Sequence, residues 1–395
     1  LNTFANAETY FPGWQLLQIP GPSNIPAAVL NAIAHPTVDH RGVAFAEFAK
    51  QLLQDLKPVF GTRDDVIVFP SSGTGAWEAA LVNTMSPGDV VLMAETGHFS
   101  ALWFEMAKKL GLNAELLPGD WRRAANPEAI GERLAQDAAH QIKAVCVVHN
   151  ETSTGATSDI EAVRRAIDMA GHPALLMVDT ISSLGCVRYE HDKWGVDVTI
   201  SGSQKGLMLP PGLGFNVCGL KARQASMTAT MHRAYFDWDA MTDATRTGQF
   251  PYTPATNLLF GLRAALDLLS REGMEVVFQR HARHARATRA AVTAWGLEVL
   301  CIEPEYRSNV LTAVVMPEHV SADAFRAHMV ERFNMPLGNG LSKLKDRVFR
   351  IGHLGDFNDL MLIATLGALQ LGLRGFGVPT KASGLEAAMA VLAEP

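Results

Sequence analysis

The sequence predicts an α/β protein, with a mostly parallel central sheet covered by helices and a smaller α+β domain after it. Three observations predict this. Short, almost wholly apolar runs alternate with amphipathic stretches of helical length from Asp64 to Leu220. Beyond Pro254 that alternation gives way to a long helical region and then to shorter mixed elements. The 395 residues, at ~150 per domain, suit two or three domains and a sizeable core.

Residues 1–18 precede the first regular element and read as an N-terminal arm, whose Phe11 and Trp14 need a surface to cover them, such as a partner subunit. VIVFP (66–70), VVLMA (90–94), AELLP (114–118), AVCVVH (144–149), ALLMVD (174–179) and VTIS (198–201) read as strands. Between them, AWEAALVNTM (76–85), PEAIGERLAQDAA (127–139) and DIEAVRRAIDMA (159–170) have helical periodicity. Near-continuous apolar strands imply burial on both faces, and hence a parallel sheet with its functional residues at the strands' carboxyl ends. A helical region from Asn257 to Trp295 breaks near Gly273. Strand candidates follow at 297–302, 310–317 and 348–352, with helices at 321–333 and 357–373. These elements divide the chain into an arm (1–18), a large domain (19–272) and a small C-terminal domain (273–395).

Hydrophobic residues make up 48% and charged residues 19%, which excludes a disordered chain. Lys and Arg total 34 against 40 acidic residues, so the net charge of −6 offers no general field for nucleic acid or an anionic membrane. The basic run Gln279–Arg289 reads as the solvated face of an amphipathic helix whose apolar side starts at Val276, Val277 and Phe278. Cys146, Cys186, Cys218 and Cys301 lie far apart without a CxxC pair, so neither a zinc ribbon nor a disulfide framework is expected. The first residues lack a basic stretch followed by an apolar run, and the charge-free segment Leu360–Leu373 falls short of the ~20 residues of a membrane span. A cytoplasmic enzyme with small-molecule substrates is the expectation.

Three segments carry chemistry. PSSGTGAWE (70–78) joins a strand to a helix through glycines and small hydroxyl residues. That arrangement offers free N–H groups and a positive dipole end to a phosphate, and without a P-loop lysine it does not imply a nucleoside triphosphate. A tight turn with an N-cap accounts for the same segment equally well. Asp179 ends the strand ALLMVD, where it either caps the next element or holds a pyridinium nitrogen protonated. Lys205 lies in SGSQKGLMLPPGLGF (201–215), among small residues and prolines that suit a desolvated, imine-forming amine better than a surface lysine. A phosphate cradle, a strand-terminal Asp and a Lys 26 residues later are together the parts of a pyridoxal 5′-phosphate site.

At this point the sequence resembles the class V aminotransferases of fold-type I, and in particular their serine–glyoxylate and alanine–glyoxylate group. PGPSNIP (20–26), DHRG (39–42), SSGTGAWEAALVNTMSPGD (71–89), HNETSTG (149–155), VDTISSLG (178–185), SGSQKGLMLPPGLGF (201–215), PYTPATNLLFGLR (251–263) and FRIGHLGD (349–356) carry the resemblance over nearly the whole chain after the arm. It implies that Lys205 is the Schiff-base lysine and Asp179 the pyridinium partner. Backbone N–H groups of Gly75 and Ala76, with Thr74 and Gln204, would hold the phosphate. Phe99 stands where relatives often carry a stacking Trp, and Thr152 matches a hydroxyl residue near the cofactor's phenolic oxygen. Tyr252 and Thr253 correspond to a segment that reaches the neighbouring subunit's phosphate, which implies a homodimer with shared sites. Phe250 stands where the family commonly has a further Tyr. Arg350 matches the arginine that grips the substrate α-carboxylate, as a planar guanidinium does bidentately. Ser23 and Asn24 are further candidates for polar contact with substrate.

The implied reaction is a ping-pong transamination with Lys205 as general base and acid, in which serine, or else alanine or aspartate, gives its amino group to glyoxylate. Two other classes stand beside it. A desulfurase of this fold would need a mobile-loop cysteine, and Cys301 is the small domain's one cysteine. A non-catalytic cofactor-binding regulator would have no use for both Lys205 and Arg350.

Overall fold

The computed structural model describes residues 11–13 and 15–394. Trp14 and residues 1–10 of the expected arm therefore lie outside the described residues, whereas Phe11 is half-buried. Helices α1 (Ala27–Ile33) and α2 (Val43–Phe60) lead into β1 (Val66–Ser71), α3 (Gly73–Thr84), β2 (Val90–Ala94), α4 (His98–Lys109), β3 (Asn113–Leu117) and α5 (Pro127–Ala135). Strand β4 (Ile142–Val148) is followed by a short hairpin, β5 (Asn150–Glu151) with β6 (Ala156–Thr157), and by α6 (Ile160–Met169). Then come β7 (Leu175–Asp179), β8 (Val198–Gly202) and β9 (Gly212–Cys218).

These strands form a seven-stranded sheet in the order β1-β9-β8-β7-β4-β2-β3. Every neighbouring pair is parallel except those made by β9, which runs antiparallel to β1 and to β8. Strands β4, β7 and β8 are buried along nearly their whole length, as apolar strands covered on both faces must be. The sequence pattern concealed β9 because it is rich in glycine, and the packing explains that composition. A Cβ at Gly214 would sit 2.7 Å from the carbonyl oxygen of Ser72, so β9 lies against the start of α3 only without a side chain there.

Helices α7 (Leu220–Ser226), α8 (Trp238–Thr245) and α9 (Thr256–Glu272) follow, and Gly273, at φ 84°, separates α9 from α10 (Met274–Trp295). The remainder builds a four-stranded sheet in the order β10-β11-β13-β12 from β10 (Glu298–Val299), β11 (Leu311–Val315), β12 (Gly338–Asn339) and β13 (Val348–Gly352). It is packed with α11 (Ala322–Phe333), α12 (Asp359–Gly375) and α13 (Gly384–Leu392). The expected strand at 297–302 is shortened to two residues, because Ile302 turns its N–H to the Arg122 carbonyl instead (3.1 Å).

The basic run is a correction to the sequence reading. Only Gln279 and Arg286 of 279–289 are exposed, and Val276, expected on the apolar side, is half exposed. His281 and His284 are fully buried, and Arg280 ties Glu272 to the Gly355 and Phe357 carbonyls. Its charges fasten segments of the chain together. No described helix is long and apolar enough to cross a membrane.

Candidate active site

A cavity of about 100 Å³ opens at the carboxyl ends of the parallel strands, where strand β1 gives way to α3, and β4, β7 and β8 end. Ser72, Thr74, Phe99, Thr152, Asp179, Gln204 and Lys205 are among the residues lining it. Six of the residues picked out in the sequence are thus brought together from segments up to 131 positions apart (Thr74 to Lys205).

The wall at α3 is a helix start built of small residues. Ser72 caps the helix, its Oγ accepting from the Gly75 N–H at 3.3 Å, while Gly73 and Thr74 line the cavity. A Cβ at Gly73 would lie 2.3 Å from Ile181 Cδ1, and one at Gly75 2.1 Å from Ser71 Oγ, so a side chain at either would displace its neighbour. The N–H groups of Gly75 and Ala76 are already engaged within the chain, by the Ser72 hydroxyl and carbonyl. Opposite, Gln204 Oε1 is buried and has no hydrogen-bond partner. A helix N-terminus facing the cavity suits an anionic group.

Asp179 ends β7 and is buried. Its Oδ1 accepts from the Ile181 N–H at 2.6 Å and its Oδ2 from Trp77 Nε1–H at 3.0 Å. Burial raises its carboxyl to about 7, with these two hydrogen bonds opposing the rise. Trp77 lies one turn beyond Gly73 on α3 and stacks on Trp103 with centroids 5.8 Å apart and planes 11° from parallel. It was not singled out from the sequence, although an aromatic four residues after the cradle glycine falls on the same helical face.

Lys205 follows β8 and is 9% exposed. Its Nζ donates to the Pro20 carbonyl at 2.6 Å. Burial, then the nearby Arg350 charge, lowers its amine from 10.5 to about 8, while Asp179 pulls the other way. Gly21 makes this position possible: at φ 105° it would place a Cβ within 2.3–2.7 Å of the lysine's Cδ, Nζ and Cε. Ser23 braces the same loop, its hydroxyl donating to the Lys205 carbonyl (2.8 Å) and its N–H to the Gln204 carbonyl (3.0 Å). Asn24 donates to the Leu17 carbonyl. The in-chain contacts of Ser23 and Asn24 are thus to the backbone around the lysine loop and the arm.

Glu151 also escaped the sequence reading. It is fully buried after β4 and accepts from the N–H groups of Phe99 and Ser100, in the first turn of α4 (3.3 and 3.2 Å), and from Ser153 Oγ (2.6 Å). A carboxylate at the positive end of a helix fixes that end, and here it fixes Phe99 against the cavity. Asn150 and Ser182 line the same wall and hydrogen-bond to each other at 2.8 Å.

Arg350 comes from the other sheet. It lies mid-strand in β13, is 6% exposed, and donates from Nε to the Asn339 carbonyl and from Nη1 to the Thr152 carbonyl, both at 2.8 Å. Gly338, its partner across the ladder, leaves room for the side chain. Burial lowers its guanidinium to about 10, so it stays cationic near neutral pH. Tyr252 and Thr253 do not line the cavity. Tyr252 stacks on Tyr235 (4.4 Å, 9°) at the surface, and Thr253 is exposed.

Residues 17–331 match the family model described as aminotransferase class-V. The chain belongs to that family. Among curated aminotransferases it is similar to the serine–glyoxylate aminotransferase of Methylorubrum extorquens (48% identity, 98% of each chain) and to that of Arabidopsis thaliana (44%, 97% of this chain and 96% of the other). It is also similar to the L-aspartate–glyoxylate aminotransferase of Paracoccus denitrificans (42%, 94% of each). Among solved structures, an alanine–glyoxylate aminotransferase from Nostoc sp. superposes with a TM-score of 0.86 at 30% identity, covering 94% of this chain and 99% of that one. As in other aminotransferases of this family, the sheet is the large, mostly parallel one of fold-type I. The desulfurase alternative finds no support in Cys301, which is fully buried with its thiol raised by desolvation.

Proposed function

We propose that this aminotransferase moves the amino group of a small L-amino acid, serine foremost, to glyoxylate, giving glycine and a 2-keto acid (hydroxypyruvate from serine), with pyridoxal 5′-phosphate carried on Lys205. The observation that carries the reading is the desolvated Lys205 amine sharing one cavity with the buried Asp179 carboxylate and the small-residue start of α3. These residues fit the cofactor: a helix start of small residues opening on the cavity, a desolvated lysine amine, and an acid buried with nothing cationic bonded to it. The cofactor, when bound, supplies an electron sink for the bond-breaking at the substrate's α-carbon.

Within this proposal Lys205 takes the α-proton from the bound amino acid and later returns one, a role that its lowered proton affinity suits. Asp179 holds a proton at the ring nitrogen, and Trp77 and Ile181 hold Asp179. Thr74 and Gln204 take the phosphate at the helix start that Gly75 and Ala76 continue, the Gly75 N–H exchanging Ser72 Oγ for it, Phe99 covers the ring, and Thr152 stands by the phenolic oxygen. Arg350 orients the substrate α-carboxylate through its remaining donor Nη2, its other nitrogens being anchored on Thr152 and Asn339. Tyr252 and Thr253 serve the phosphate site of a second copy in a homodimer. The large domain spans 19–272 and the small one 273–395, so that Arg350 joins substrate to both. Four buried, unpaired cysteines support a reducing, cytoplasmic setting.

Serine comes first because the 44% and 48% relatives bear that name, and the 42% relative makes aspartate the second reading. The test mixes the pyridoxal form with serine, alanine or aspartate and follows its conversion to the amine form by absorbance. Fastest conversion by serine is expected. Faster conversion by aspartate would replace the donor, and no response to any of the three would end the transaminase reading.

A further inference from the structure

At the far end of the sheet from Lys205, a second cluster of chemistry-bearing side chains has no part in the reaction above. Asp64 precedes β1, and His191 and Asp192 lie in the loop before β8. Strands β1 and β8 both run antiparallel to β9, so the residues that precede them meet at one end, opposite the end where Lys205 follows β8. One ligand atom from each of Asp64, His191 and Asp192 lies within 4.8 Å of the others.

We propose that Asp64, His191 and Asp192 form a binding site for a first-row divalent cation of the Zn2+ type, which clasps the turn after α2 to the loop before β8.

The imidazole is the decisive member. His191 is 1% exposed, and its Nε2 is buried without a hydrogen-bond partner. A buried polar atom left unmatched is costly, and such atoms are normally satisfied. Nε2 faces the carboxylates: a Cβ built on Gly219 would lie 3.7 Å from both His191 Nε2 and Asp64 Oδ2, so the two border one small space that this glycine leaves open. The other ring nitrogen is already occupied. Nδ1 lies 2.6 Å from Thr199 Oγ1, which is itself 2.6 Å from Tyr189 Oη. With Nδ1 carrying the hydrogen and donating to Thr199, Nε2 presents a lone pair beside two carboxylates, a set of three electron-pair donors that a cation would satisfy.

One imidazole and two carboxylates suit zinc better than magnesium or calcium, which take oxygen ligands. Tetrahedral bonding at ~2.0–2.2 Å puts neighbouring ligand atoms ~3.4 Å apart, so closure by up to ~1.4 Å is required. Asp192 is exposed, and a rotation of its side chain would supply the closure. The backbone already joins these segments, through His191 N–H to the Phe60 carbonyl and Asp192 N–H to the Gly61 carbonyl, both 3.1 Å. Asp192 also accepts from Thr62 Oγ1 and the Arg63 N–H, which orient its carboxylate.

The test is zinc binding by chelator-treated holoenzyme, measured by equilibrium dialysis with metal analysis, alongside thermal unfolding with and without zinc. One zinc per chain and a raised unfolding midpoint are expected. His191→Gln should abolish both, and Asp192→Asn, a surface change that keeps the test readable if the histidine variant misfolds, should weaken binding by ~10-fold or more. No uptake by the wild-type protein would overturn the proposal, and so would uptake that Asp192→Asn leaves unchanged.

Discussion

The indole N–H of Trp77 donates to Oδ2 of Asp179 across 3.0 Å, inside the core and within the cavity wall. Asp179 would otherwise be held as an anion in a buried site by one main-chain N–H alone. Trp77→Phe removes the donor and keeps the ring, raising the acid's proton affinity further. A hydrogen bond to a charged group is worth ~1.5–3 kcal/mol, so turnover should fall ~10-fold or more, as steady-state kinetics would show. Unchanged turnover would mean that Ile181 suffices.

Gly21 decides where Lys205 can be. Gly21→Ala adds a Cβ where the lysine's outer atoms now lie, at a φ of 105° that alanine resists. The variant is expected to fold yet to lose covalent cofactor uptake, read by mass after borohydride reduction. Full labelling would show that the loop yields without cost.

The amine of Lys205 sets a pH signature. Its folded value is about 8 against 10.5 for the free side chain, so the neutral, nucleophilic form appears above pH 8. Covalent uptake of pyridoxal phosphate by the apoenzyme should therefore rise with a midpoint near 8. The sign for stability follows: between about 8 and 10.5 the unfolded chain binds the extra proton, so this group makes the apoenzyme more stable as pH rises through that window. An uptake midpoint near 10.5 would contradict the burial.

Arg350 should separate binding from cofactor attachment. Arg350→Lys keeps the charge but loses the fork that spans Asn339, Thr152 and the substrate. The donor's KM is expected to rise ~10-fold or more, since charged hydrogen bonds carry ~1.5–3 kcal/mol, with cofactor labelling intact. An unaltered KM would place the carboxylate elsewhere.

Ser23 should behave as a brace. Ser23→Ala deletes the hydrogen bond to the Lys205 carbonyl and is expected to cost about 1 kcal/mol in denaturant unfolding. A specific rise in the donor's KM without loss of stability would instead make Ser23 a substrate contact.

The sequence showed the parallel strands because residues buried on both faces leave long apolar runs, as in 144–148 and 175–178. It concealed β9, whose glycines are there for a neighbouring helix, and misread 279–289, whose arginines find partners far away in the chain. The catalytic candidates were legible as motifs because their chemistry needs fixed residue types at strand ends. Trp77, Glu151 and Gly21 were not, because an indole donor, a helix-fixing carboxylate and a missing Cβ have meaning only against Asp179, Phe99 and Lys205.

Read alone, the amino-acid order determined the α/β class, the helix break at Gly273, and the candidacy of Lys205, Asp179 and Arg350. The first two and the candidacy of Lys205 and Asp179 follow from local periodicity and from side-chain chemistry, which each residue carries wherever it is placed, and that of Arg350 from the resemblance of its motif. Only the tertiary structure decided that Asp179 rests on Trp77, that Lys205 fits over Gly21, and that Arg350 reaches Thr152 from another sheet. The same holds for the His191 cluster, whose members lie 127 positions apart (Asp64 to His191). Burial and through-space contact set proton affinities and side-chain positions, and neither is defined until the chain has folded.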